Sequence, residues 1–78
     1  MPHISIKMLK GRTEQKKEAV AEALTQTLCK ELKASPEHVS VTIEDYTAKE
    51  WQNVFKKEIT DKKDKLYKSP EYDPKDLL

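Results

Sequence analysis

The hydrophobic period changes twice along this chain, and those changes restrict the fold more than any other feature of the sequence. Ile4, Ile6 and Met8 alternate with Ser5 and Lys7, the two-residue period of a strand with one apolar face, and a strand is expected over residues 3–9. Val20, Leu24, Leu28 and Leu32 then recur at every fourth position, with Ala21 and Ala23 beside them. That is one apolar stripe on a helix of about twenty residues. Val39, Val41 and Ile43 return to alternation with Ser40, Thr42 and Glu44. Strand, long helix and strand make a βαβ crossover, whose strands lie parallel with a right-handed connection. Two strands and one helix do not close a core. The expected class is therefore α+β, with two subunits joining their strands into a four-stranded sheet that carries helices on one face.

Local signals set the boundaries. Gly11 breaks the first strand, Thr13 is an available helix N-cap, and Glu14 places a carboxylate in the first turn, where it suits the helix dipole. Ser35-Pro36 ends that helix, because the residue before a proline disfavours helical angles. Thr47 and Glu50 have the spacing of a capping box. Trp51, Val54, Phe55, Ile59 and Leu66 follow at three- and four-residue steps or near them, so a C-terminal helix is expected over 51–68. The run Asp61-Lys62-Lys63-Asp64-Lys65 interrupts its stripe and should leave its second half exposed. Pro70 and Pro74 mark residues 69–78 as an irregular tail. Residues 1–78 make a single domain, with 2–51 as βαβ core and loop.

A chain this short buries only ~60–65% of its unfolded surface. Here 37% of residues are charged, 36% are hydrophobic and the mean hydropathy is −0.87, so more core has to come from association, and a homodimer is expected. The formal net charge of +1 gives no general attraction to nucleic acid or to a membrane surface. Lysines between 56 and 68 are interleaved with Glu58, Asp61 and Asp64, which is a solvated helix face and not a nucleic-acid grip. The single cysteine, Cys29, allows no intrachain disulfide and reads as a packing residue. With no signal-peptide layout and no long apolar run, a cytoplasmic protein is expected. His3 and His38 lack carboxylate or thiolate partners at ligand spacing, and there is no glycine-rich phosphate loop, so neither metal nor cofactor is expected.

The unusual chemistry is at the start. Methionine before a residue as small as proline is trimmed during synthesis, and trimming would turn Pro2 from a tertiary amide into a free secondary amine. Such an amine is a base. Burial and nearby cations, Arg12 or Lys7 among them, would disfavour its protonated form and bring it toward the working pH of a general acid/base.

Pro2, the alternating strand, Gly11-Arg12 and Thr13-Glu14-Gln15-Lys16 resemble the opening of the 4-oxalocrotonate tautomerase family, and the likeness runs without a gap to Trp51. Beyond Trp51 the chain resembles a longer, dimeric bacterial branch. Hexameric relatives end in a glycine-rich hairpin, and this chain has one glycine, Gly11. The resemblance implies that Pro2 carries the proton, that Arg12 binds a substrate carboxylate through its planar guanidinium, and that Trp51 stands at the pocket wall. It also implies a departure, because the family's second arginine corresponds to Ser40. A hydroxyl does not replace that charge. A monocarboxylated 2-oxo acid with an apolar or aromatic end, of the phenylpyruvate enol kind, therefore suits Ser40, Trp51 and Phe55 better than a dicarboxylate.

The expected function is cofactor-independent keto-enol tautomerisation, an isomerase activity. Dehalogenation or decarboxylation through the same proline stays open within the resemblance. So does a non-catalytic homodimeric interaction module that keeps the fold and has lost the chemistry.

Overall fold

Ile4 and Ile6 lie half-buried while His3 and Ser5 face solvent in strand β1, His3–Leu9, as its period-two pattern requires. The computed structural model describes residues 1–78. Strand β2, Ser40–Tyr46, keeps the same alternation, with Val41 and Ile43 half-buried between exposed Ser40, Thr42 and Glu44. The two strands are hydrogen-bonded neighbours in a two-stranded sheet. The Ser40 N–H donates to the Pro2 carbonyl at one end and the Lys10 N–H to the Tyr46 carbonyl at the other. Both strands therefore advance in the same direction, and the pair is parallel, as a helical crossover demands.

That crossover is helix α1, Glu14–Leu32. Thr13 caps it, its side chain accepting from the Lys16 N–H at 3.1 Å. At the far end Lys33 takes a left-handed conformation (φ 56°), and the Ala34 N–H reaches back to the Cys29 carbonyl, a Schellman-type closure usually given to glycine. Pro36–His38 forms a short 3-10 turn before β2.

Helix α2, Ala48–Glu58, opens with the capping box read from the sequence: Thr47 Oγ1 accepts from the Glu50 N–H at 3.1 Å, and Glu50 Oε1 accepts from the Thr47 N–H at 2.8 Å. It does not run over 51–68. It starts at Ala48, stops at Glu58, and the chain turns at Ile59 (φ −118°, ψ −61°) into a kinked 3-10 segment, Thr60–Lys65. The reason is the charged run after Ile59, which has no apolar face to bury. Lys56 instead pairs with Asp61 at 3.1 Å and Lys62 with Glu58 at 3.0 Å. These exposed pairs contribute little stability.

By contacts the chain forms two compact units, Met1–Ile6 with Gly11–Glu44, and Lys7–Lys10 with Asp45–Leu78. In the first, the α1 stripe is only half covered: no residue of the helix is buried, and Leu24 and Leu32 are 38% and 63% exposed. Ile4, Leu24 and Leu28 line an open apolar hollow of about 440 Å³. In the second, Val54 on α2 is the one buried hydrophobic residue of the chain, 8% exposed. A chain of this length buries little core on its own. No helix is long and apolar enough to cross a membrane.

Candidate active site

Pro2 sits immediately before β1 and is half-buried, whereas Met1 ahead of it is 92% exposed. With Met1 attached, the Pro2 nitrogen is an amide and holds no basic lone pair. The parallel pairing brings Ser40 alongside: its N–H donates to the Pro2 carbonyl at 3.3 Å, and its Oγ lies 2.7 Å from His3 Nδ1. Ser40 is thus one half of an exposed polar pair with the residue next to Pro2. Ser40 is 37 positions from His3, and only the strand register shows that the two are adjacent.

Arg12 follows Gly11, whose φ of +132° suits glycine and strains any residue with a Cβ. That turn carries the chain from β1 into α1 and leaves Arg12 exposed. Pro2 and Arg12 consequently flank opposite ends of a seven-residue strand, itself about 20 Å long at the usual rise per residue.

Trp51 and Phe55 lie in the second unit, four residues apart on one face of α2. Two tyrosines that the sequence reading did not single out join them. The Tyr46 ring meets the Trp51 indole at 6.3 Å and 58°, and the Tyr72 ring meets Phe55 edge-on at 5.6 Å and 72°. Trp51 Nε1–H also donates to the Tyr72 hydroxyl at 2.9 Å. Phe55 further lines a cavity of about 510 Å³ with Ile59, Leu66 and Pro70. The tail is therefore not a loose end, although no spacing in the sequence announces where Tyr72 docks.

Charge near this helix is organised at its two ends. The Glu50 carboxyl is held below its ordinary value chiefly by the Thr47 backbone N–H and then by the Thr47 side chain, with Lys10 adding attraction. Glu58 is lowered first by its hydrogen bond to Lys62, and Lys7 acts in the same direction.

The family described as tautomerase enzyme matches residues 2–58, a segment that contains Pro2, Arg12, Ser40, Trp51 and Phe55. The chain belongs to the tautomerase family. A probable tautomerase of Xylella fastidiosa (strain 9a5c) is 34% identical over 73 residues, covering 92% of this chain and 89% of that one. Tautomerase PptA of Escherichia coli O127:H6 (strain E2348/69 / EPEC) is 30% identical over 73 residues, with 92% and 97% covered. Among solved structures, TomN, a 4-oxalocrotonate tautomerase homologue of the tomaymycin biosynthetic pathway, superposes with a TM-score of 0.62 at 34% identity, over 64% of this chain and 77% of that one. Tautomerase membership carries an isomerase-type function on small molecules, and the fold just described is the one shared with TomN. The match starts at Pro2 and ends at Glu58, so Tyr72 and the tail lie outside it.

Proposed function

We propose that this tautomerase interconverts the enol and keto forms of a small monocarboxylated 2-oxo acid, such as phenylpyruvate, with Pro2 as general acid/base once Met1 is removed. The observation that carries the reading is the junction at the start of β1: an exposed Met1 on a half-buried Pro2, at the residue where the family match begins. The freed amine takes the proton of the enol hydroxyl and, as the ammonium, returns one proton to the substrate's C3. Nothing else is gained or lost, so no cofactor enters the balance.

Arg12 would hold the carboxylate by two parallel hydrogen bonds. Pro2 and Arg12 of one chain flank opposite ends of β1, which supports a site whose arginine is supplied by a second copy, as a homodimer would provide. Ser40, neutral and bonded to His3, offers no cation for a second carboxylate. Trp51 and Phe55 provide apolar surface for the aromatic end of the acid.

The test is an intact mass of the natively produced chain together with an ultraviolet assay of phenylpyruvate enol. The expected mass lacks methionine, and Pro2→Ala lowers kcat at least about a hundredfold, the lower bound for losing a general acid/base. Dicarboxylated enols should be turned over less efficiently than phenylpyruvate enol. Retention of Met1 in the native host, or full activity in Pro2→Ala, would overturn the proposal and favour an interaction module.

A further inference from the structure

The last ten residues fold back onto α2 through directional contacts and place no residue in the core. Tyr72 is 43% exposed, Leu77 37% and Leu78 71%, while Pro70 and Pro74 are half-buried, so directional contacts act beside partial apolar cover in holding the segment. Its attachments converge on one stretch of helix. Tyr72 touches both Trp51 and Phe55 with different parts of its side chain, the hydroxyl accepting the indole N–H at 2.9 Å and the ring meeting the phenyl edge-on at 5.6 Å. Gln52, the residue after Trp51, donates from Nε2 to the Pro74 carbonyl at 2.8 Å and also to the Ala48 carbonyl of its own helix at 3.1 Å. Pro70 and Pro74 flank Tyr72 and restrict the backbone that carries it. Asp73 Oδ1 accepts from the Lys75 N–H at 3.0 Å and caps the final turn, Pro74–Leu77.

A half-exposed indole has two free side-chain torsions, and its polar edge is satisfied by water as readily as by protein unless a fixed acceptor is supplied. From this geometry we infer that Tyr72 is a positioning residue, which sets the Trp51 indole and the Phe55 ring in the one arrangement that receives the aromatic end of the substrate. The inference rests on Trp51 and Phe55 being walls of the pocket, as proposed above. Tyr72 itself touches no reacting atom. It acts through the two rings, and its effect should grow with the size of the group those rings must accommodate.

Trp51 is the only tryptophan, so its fluorescence and its indole N–H resonance report on this one position. Tyr72→Phe keeps the ring against Phe55 and removes the acceptor, while Tyr72→Ala removes both. Turnover of phenylpyruvate enol and of pyruvate enol is compared in the full chain for both variants, beside Pro2→Ala. Tyr72→Phe should shift the indole N–H resonance and lower kcat/KM on phenylpyruvate enol about tenfold, chiefly through KM, with less than about a twofold change on pyruvate enol. Tyr72→Ala should widen that difference. An unmoved indole resonance, or equal losses on both enols with a lowered melting temperature, would show that the tail only braces α2. If those results appear while turnover still depends on Pro2, the role of Tyr72 fails and the tautomerase reading stands. If the wild-type chain turns over neither enol, both fall together.

Discussion

Single residues in this chain show how a short motif acquires a physical role. Glu50 illustrates it: the carboxylate closes the capping box that starts α2, the helix that carries Trp51, and the Thr47 N–H it accepts is what lowers its pKa below the ordinary 4.5. A depressed folded-state pKa means that the stabilisation is fully present above the unfolded value and disappears as pH falls through the lower folded one. Glu58 is displaced in the same direction by Lys62. The urea midpoint should accordingly fall as pH drops below about 4.5, and Glu50→Gln should show a shallower fall, measured by far-ultraviolet circular dichroism from about pH 6 to 3. Parallel curves for the two proteins would dismiss the contribution. Thr47 and Glu50 were legible as a box because both partners are local. His3 and Ser40 were not, since they meet only when β1 and β2 are paired.

At the scale of elements, each boundary reflects what the chain can bury and how its backbone can turn. The α1 stripe, its Thr13 cap and its end before Pro36 followed from spacing and turn chemistry. The end of α2 did not: three- and four-residue spacing carried the expected helix across Asp61–Lys65, but a segment with no apolar face gains nothing from continuing the helix, and the chain turns at Ile59. The C-terminus of α1 holds a residue ill-suited to its conformation. Lys33 sits at φ 56° and ψ 40°, where a Cβ crowds the backbone. Lys33→Gly should therefore raise stability by about 0.5–1 kcal/mol, the steric gain being partly offset by glycine's greater unfolded-state freedom. An unchanged or lower midpoint in urea would mean that the lysine side chain or its charge matters more than the backbone geometry.

On the scale of the whole molecule, the candidate residues divide. Pro2, Arg12 and Ser40 belong to one compact unit, Trp51 and Phe55 to the other, and Pro2 and Arg12 are separated by the length of β1. If the arginine is supplied by a second copy, a mixture of inactive Pro2→Ala and Arg12→Ala chains, allowed to exchange subunits, should regain activity. With equal mixing, half the dimers are mixed and each has one complete site, so recovery should approach about a quarter of the wild-type rate. No recovery after demonstrated exchange would require both residues to act within one chain. The thin core, with only Val54 buried and Leu32 63% exposed, is consistent with a chain that gains stability on assembly.

The sequence by itself determined the order of elements, the parallel crossover, the capping of both helices and the family, because these depend on periodicity, turn chemistry and a motif confined to neighbouring residues. Tertiary structure alone decided that Ser40 pairs with His3, that Pro2 and Arg12 end far apart, and that Tyr72 returns to hold Trp51 and Phe55. Each of those facts depends on strand register, strand length or the path of a tail. No local propensity encodes such relations, since they arise only when distant segments share the same space.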